Sequence, residues 1–311
     1  MAAFDHWTEA CKVYAANFDH PIFNVDLGNV EDVEIFRVWE PEIIIGGPPC
    51  QDFSSAGKRD DTQGRADLTL SYAQIVSEVR PAWFVMENVE RITKSRILTE
   101  AKAIFKAAGY GLSQTVLDAS FCGVPQARKR FILVGHLASP DDFLLPYFAR
   151  GLSKRPTTVH DALGDSLGLQ HYYRHPRSYA RRGVFSIHEP SPTIRGVNRP
   201  VPKDHPGHPG DTAPVGTVRP LTTQERSFIQ TFPPDFKWPG TKTNLEQMIG
   251  NAVPVELARY VAQCVRDYQQ DERAGSVLTA TKRPAPALAP AESQQLRLLL
   301  EPAAAYTARV C

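Results

Sequence analysis

Long apolar runs are missing from this 311-residue sequence, and none approaches the roughly 20 residues that a membrane-spanning helix needs. The start, Met1-Ala2-Ala3-Phe4-Asp5-His6-Trp7, lacks both the basic flank and the apolar stretch of a secretion signal. Cysteine is scarce and scattered: five residues, at 11, 50, 122, 264 and 311, form no Cys-x-x-Cys pair. Neither a disulfide framework nor a metal site is indicated. The expectation is a soluble cytoplasmic protein with reduced thiols and no membrane contact.

Net charge is almost absent as well, at +1, but that value hides an asymmetry. Residues 151–203 carry nine Lys and Arg against three Asp and Glu, a balance suited to facing phosphates. The length allows one large α/β domain and a smaller one.

The chain is organised around Gly46-Gly47-Pro48-Pro49-Cys50-Gln51-Asp52-Phe53-Ser54-Ser55-Ala56-Gly57. It follows Glu42-Ile43-Ile44-Ile45, an unbroken apolar run that predicts a buried strand of an α/β sheet. Two glycines and two prolines stop further pairing, so the chain leaves the sheet at its carboxyl edge, where open α/β sheets bind ligands. An isolated cysteine is ordinarily a small buried hydrophobe. Cys50 instead stands in a loop whose prolines fix φ, as a positioned nucleophile would.

Around that loop the pattern alternates. Residues 5–17 predict a helix preceded by Asp5, and Phe23–Leu27 a short strand that includes Asp26. Carboxylates at strand ends suit ribose hydroxyls. Lys58–Arg65 is too charged to be core. Pro81–Met86 predicts a second buried strand ending in Glu87-Asn88-Val89, where apolar surroundings would raise the Glu87 pKa. Gln114–Asp118 and Phe131–Gly135 predict a strand pair, and strand alternation directs Gln126, Arg128 and Arg130 to one face. Residues 151–215, rich in Pro, Arg, His and Gly, predict a small irregular or β-containing domain. From Pro220 helices resume, and in the last of them Val255, Ala258, Val261, Ala262 and Val265 read as the buried face. The expected division is 1–150, a catalytic domain; 151–219, a recognition domain; 220–269, a return to the first; and 270–311, a disordered tail.

Gly-Gly-Pro-Pro-Cys-Gln-x-Phe-Ser at 46–54, Glu87-Asn88-Val89, Gln126-x-Arg128-x-Arg130 and Gly250-Asn251-Ala252-Val253-Pro254 stand in one order. Together, from about residue 5 to 268, they resemble the DNA (cytosine-5) methyltransferase family. The resemblance implies a Rossmann-like sheet that uses S-adenosylmethionine and a target-recognition domain at 151–219. It implies that Cys50 adds to carbon 6 of a flipped cytosine, making carbon 5 nucleophilic toward the methyl group. Glu87 would hold the N3 and N4 edge and Asn88 would help shape that contact and the loop, while Arg128 and Arg130 would hold the base and its phosphate and favour the thiolate. The donor pocket would comprise Asp5, Asp26, Leu27, Pro48, Asn251 and Ala252. Gln51, Ser54, Gln126, Thr193 and Arg195 would face DNA, with segment 52–66 closing over it.

One departure stands out: the family's opening Asp-x-Phe-x-Gly-x-Gly-Gly does not occur here. The expectation is a start assigned too late. A split enzyme completed by another chain, or a degenerate gene, stays open. The implied partners are duplex DNA and a restriction endonuclease, in a bacterial cytoplasm. A tRNA cytosine-5 methyltransferase and a non-catalytic DNA-binding subunit stand as alternatives.

Overall fold

Trp83-Phe84-Val85-Met86 is apolar on both faces, so its strand must be covered on both sides. In the computed structural model, which describes residues 1–29, 32–49 and 68–278, it lies within strand β4 (Trp83–Val89). Strand β3 (Ile43–Gly46) pairs with β4 in parallel. On its other side β4 meets β7 (Lys129–Leu137) in an antiparallel pairing, and β5 (Tyr110–Asp118) pairs antiparallel with β7. The sheet order is therefore β3-β4-β7-β5.

Alternation sorts the β4 side chains into two cores. Phe84 and Met86 join Leu133 and Phe131 under α3 (Leu68–Val79) and α4 (Arg96–Ala107). Trp83 and Val85 join Ile132 and Val134, covered by α5 (Leu145–Arg150) and α9 (Val255–Arg273). The buried face of α9 is Leu257, Val261, Cys264, Val265 and Tyr268. Of the face read from sequence, Val261 and Val265 belong to it, whereas Ala258 and Ala262 are exposed. The larger Leu, Cys and Tyr side chains bury more apolar area than alanine and set the rotation of the helix.

Strand β3 corrects a second expectation. It is not buried: Ile43 is 39% and Ile45 72% exposed. The apolar run promised cover on both faces, but β3 is the edge strand, paired only with β4 among the described residues. A separate parallel pair, β1 (Ala3–Asp5) with β2 (Ile22–Asn24), flanks helix α1 (Thr8–Asn17) in sequence, and the short helix α2 (Glu34–Arg37) precedes β3.

Beyond β7, a third core holds Val159, Tyr172, Phe185, Ile187 and Ile194 together with Leu221, Ile229 and Ile249. Segment 151–219 thus shares its core with α7 (Thr223–Ile229) and α8 (Lys242–Asn251). Its regular structure is sparse: α6 (Val159–Leu163), the hairpin of β8 (His171–Tyr173) and β9 (Val184–Ser186), and β10 (Ser191–Pro192). Strand β10 pairs in parallel with β6 (Gln126–Ala127). By contact the chain divides into Met1–Leu278 and Thr279–Cys311. The second unit, with most of the expected tail, lies outside the described residues.

Candidate active site

Glu87 stands opposite Ile132 in the β4–β7 register, and Arg130 lies two residues earlier on β7. Diagonal neighbours on one face are within reach of long side chains, and here Arg130 Nε lies 2.7 Å from Glu87 Oε1. The Arg130 and Glu87 side chains are 13% and 17% exposed, respectively. Burial raises the Glu87 pKa, against the opposing pull of Arg130 and Arg128. Burial likewise lowers that of Arg130, which Glu87 partly offsets. Desolvation therefore outweighs attraction at both partners.

The loop before Cys50 is fastened to the same place. A Cβ on Gly47 would lie 3.3 Å from Glu87 Oε2, so the loop backbone runs against the carboxylate. Asn88 Nδ2 donates to the Pro48 carbonyl at 2.8 Å, while Asn88 Oδ1 accepts from the Val89 N–H at 2.8 Å. One step earlier Tyr72 donates its hydroxyl hydrogen to the Val85 carbonyl at 2.9 Å, and its ring fills the space a Cβ on Gly46 would need. Cys50, Gln51 and Ser54, and segment 52–66 with them, lie outside the described residues.

Arg128 is set differently from Arg130. It is 1% exposed, and its guanidinium donates to the carbonyls of Ile194, Gly250 and Ala252 at 2.9–3.0 Å. Burial, then Arg130, lowers its pKa to about 9, with Glu87 opposing. Gln126 is also buried: its Oε1 accepts from the Ile194 N–H at 2.8 Å and its Nε2 donates to Gln230 Oε1 at 2.7 Å. The side chains expected to meet a ligand together are thus divided, Arg130 toward Glu87 and the other two into the interior.

Asp5 ends β1, with its side chain 47% exposed and its Oδ1 accepting from the Trp7 N–H at 2.8 Å. Asp26 lies just past β2, where its Oδ1 accepts from the Gly28 N–H at 3.0 Å. Leu27, half-buried, opens the 3-10 turn Leu27–Asn29. Two carboxylates following parallel strands are a donor set that fits ribose hydroxyls. Pro48 is buried, Asn251 exposed, and the Ala252 carbonyl is already taken by Arg128.

On segment 191–195, Thr193 Oγ1 donates to the Ala127 carbonyl at 2.9 Å and Arg195 donates to the His175 carbonyl. Arg174 Nη2 donates to the Thr193 carbonyl at 3.0 Å. Burial and then Arg177 and Arg199 hold the Arg195 pKa below its usual value. Arg195 lies near Arg177 and Arg199, and Arg174 near Arg195 and Arg177, so positive charge is concentrated on this segment. Arg174, Arg177 and Arg199 had been visible in sequence only as part of the basic excess. Gln230, the C-cap of α7, carried no sequence signal at all.

Residues 1–266 match the family described as C-5 cytosine-specific DNA methylase. The chain is similar to Type II methyltransferase M.HindV of Haemophilus influenzae, 58% identical over 273 residues, covering 87% of this chain and 90% of that protein. It is 53% identical over 274 residues to Type II methyltransferase M.HgiDI of Herpetosiphon aurantiacus, covering 88% and 89%. Its fold is similar to that of the S. pombe Dnmt2 methyltransferase, with a TM-score of 0.63 at 16% identity, covering 86% of this chain and 90% of that one.

Proposed function

The chain belongs to the C-5 cytosine-specific DNA methylase family, and from that premise we propose that Cys50, Glu87, Asn88 and Arg130 act together on one cytosine flipped out of duplex DNA. The observation that carries this reading is the seam between β3 and β4. Gly47 lies against the Glu87 carboxylate and Asn88 holds the Pro48 carbonyl, two residues before Cys50.

The Cys50 thiolate adds to carbon 6, and the electron pair displaced from the 5,6 double bond makes carbon 5 a nucleophile. Glu87, favoured in its neutral form by burial, donates its proton toward N3 and so offsets the charge that develops there. Arg130 holds the Glu87 carboxyl in place and supplies positive charge beside it. S-adenosylmethionine, when bound, supplies the methyl group. Asp5 and Asp26 fit its ribose hydroxyls, with Leu27, Pro48, Asn251 and Ala252 bordering the pocket. Loss of the carbon 5 proton to water, return of the N3 proton to Glu87 and elimination of the thiolate then restore the aromatic ring, the neutral carboxyl and the free cysteine.

Segment 174–199 reads the duplex, with Arg195, Arg174, Arg177 and Arg199 toward phosphate. Gln51 and Ser54 meet the DNA from the cysteine loop. The names of the Type II relatives support a role as the modification partner of a restriction endonuclease, working on cytoplasmic DNA. Among the described residues, no helix is long and apolar enough to cross a membrane. Among the described residues β1 pairs only with β2 and β3 only with β4, with Ile45 exposed, and these edges support pairing with a strand from a complementing chain.

The test is transfer of a labelled methyl group from S-adenosylmethionine to unmethylated duplex DNA, with tRNA in a parallel reaction, by the chain and its Cys50→Ser variant. Incorporation into DNA that disappears in Cys50→Ser is the expected result. Incorporation that survives the substitution, or that goes to tRNA alone, overturns the reading.

A further inference from the structure

Ile194 has both main-chain polar groups held by buried side chains from another part of the molecule. Its N–H donates to Gln126 Oε1 at 2.8 Å, and its carbonyl accepts from Arg128 Nη1 at 3.0 Å. Each of those side chains leads onward to turn 249–252, the last turn of α8 with its cap Ala252. Arg128 Nη2 donates to the carbonyls of Gly250 and Ala252 at 2.9 and 3.0 Å. Gln126 Nε2 donates to Gln230 Oε1, and Gln230 Nε2 donates to the carbonyls of Ile249 and Ala252. Two separate routes, one through a guanidinium and one through a pair of amides, thus run from the Ile194 backbone to the Ala252 carbonyl.

The backbones themselves also touch. A Cβ on Gly250 would run into the main chain of Arg195 and Gly196, and one on Gly196 would meet Gln247. The main-chain carbonyl of Gln230 accepts from the Val255 N–H at 3.1 Å, so the start of α9 is tied to the same group.

Gln126, Arg128 and Gln230 are each no more than 1% exposed. A hydrogen bond broken there leaves a buried donor or acceptor that water does not reach, and such groups are costly. Sliding segment 191–195 against turn 249–252 would break several at once. The two therefore move together.

We infer that Gln126, Arg128 and Gln230 are positioning residues that join segment 191–195 to turn 249–252, so that DNA seated on the first orders the second. This rests on the reading of 174–199 as the DNA-facing surface and of Asn251-Ala252 as the border of the donor pocket. It assigns Gln126 and Arg128 a role within the protein rather than against the base, and it adds Gln230. DNA binding would in this way prepare the donor pocket before any methyl transfer takes place.

The test is amide hydrogen exchange on the full chain, with and without unmethylated mixed-sequence duplex DNA and with no methyl donor present. The expected result is slower exchange in 171–199 and, with it, a slowing of about fivefold or more in 249–256, the lower end of ordinary coupling between sites. In Gln230→Met, checked for cooperative melting, the slowing at 171–199 persists while that at 249–256 is lost. Arg128→Lys behaves in the same direction.

Slowing confined to 171–199 in the unmodified chain overturns the coupling, and needs no variant to do so. Equal slowing of 249–256 in chain and variants overturns the role of these side chains. DNA that binds without slowing 171–199 overturns the surface reading itself, and the inference falls with it.

Discussion

Arg130 Nε and Glu87 Oε1 lie 2.7 Å apart on adjacent antiparallel strands, both largely covered, yet burial still raises the carboxyl pKa. A carboxyl of this kind holds its proton at higher pH than one in water.

Glu87→Gln keeps the shape and the hydrogen-bonding edge but removes the proton that titrates. Methyl transfer is expected to fall by about 10²–10⁴-fold, the usual contribution of a positioned general acid. The sign of the stability effect follows from the raised pKa. The stabilising contribution of the neutral carboxyl is complete below the unfolded-state value and is lost as pH rises through the folded value. Urea midpoints of chain and variant, compared across the acidic range, should therefore converge in acid and diverge above it.

The Arg226 and Glu246 side chains pair at only 4% and 5% exposure, and Glu246 Oε1 also accepts from Thr223 Oγ1 at 2.8 Å. Glu246→Ala leaves a buried guanidinium without its counter-ion and should cost about 3–5 kcal/mol. Replacing both residues, Arg226→Met with Glu246→Leu, should restore most of that loss. Urea denaturation of the single and double variants measures it.

Gly250 has no room for a side chain, since its Cβ would overlap the backbone of Arg195 and Gly196. Gly250→Ala must push α8 away from segment 195–196, at about 1–3 kcal/mol for an overpacked contact. The drop in melting temperature should be accompanied by weaker DNA retention, measured by filter binding.

Asp211 anchors the start of β9. Burial alone would raise its pKa, but the N–H groups of Val184, Gly183 and His208 hold it below the usual carboxylate value. The stability it contributes is present above the unfolded pKa and is lost as pH falls through the folded one. Asp211→Asn is expected to cost about 1.5–3 kcal/mol at neutral pH, as for hydrogen bonds to a charged group. The cost should shrink in acid, and thermal melts at pH 7 and pH 3 check this.

Much of the catalytic sheet was legible in the sequence because its signals are local. Pro81–Met86 is apolar on both faces wherever it sits, and Glu87-Asn88-Val89 follows it whatever the rest of the chain does. The Gly-Gly-Pro-Pro-Cys-Gln motif likewise marks its own loop and carries the family resemblance, though Cys50 itself lies outside the described residues. Strand period and turn chemistry need no distant partner to be read.

What depended on distant partners was decided by the tertiary structure. The run Ile43-Ile44-Ile45 fixed a strand but not its place, and only the sheet order made it an edge with Ile45 exposed. The spacing of Gln126, Arg128 and Arg130 predicted one shared face, which the structure divides. Long-range packing set Arg130 against Glu87, turned Arg128 onto carbonyls 66 to 124 residues away in sequence, and turned Gln126 Oε1 onto the Ile194 N–H, 68 residues away. A sequence motif specifies which groups a side chain carries, while its partners are chosen by buried polar atoms that must be satisfied once the chain has folded.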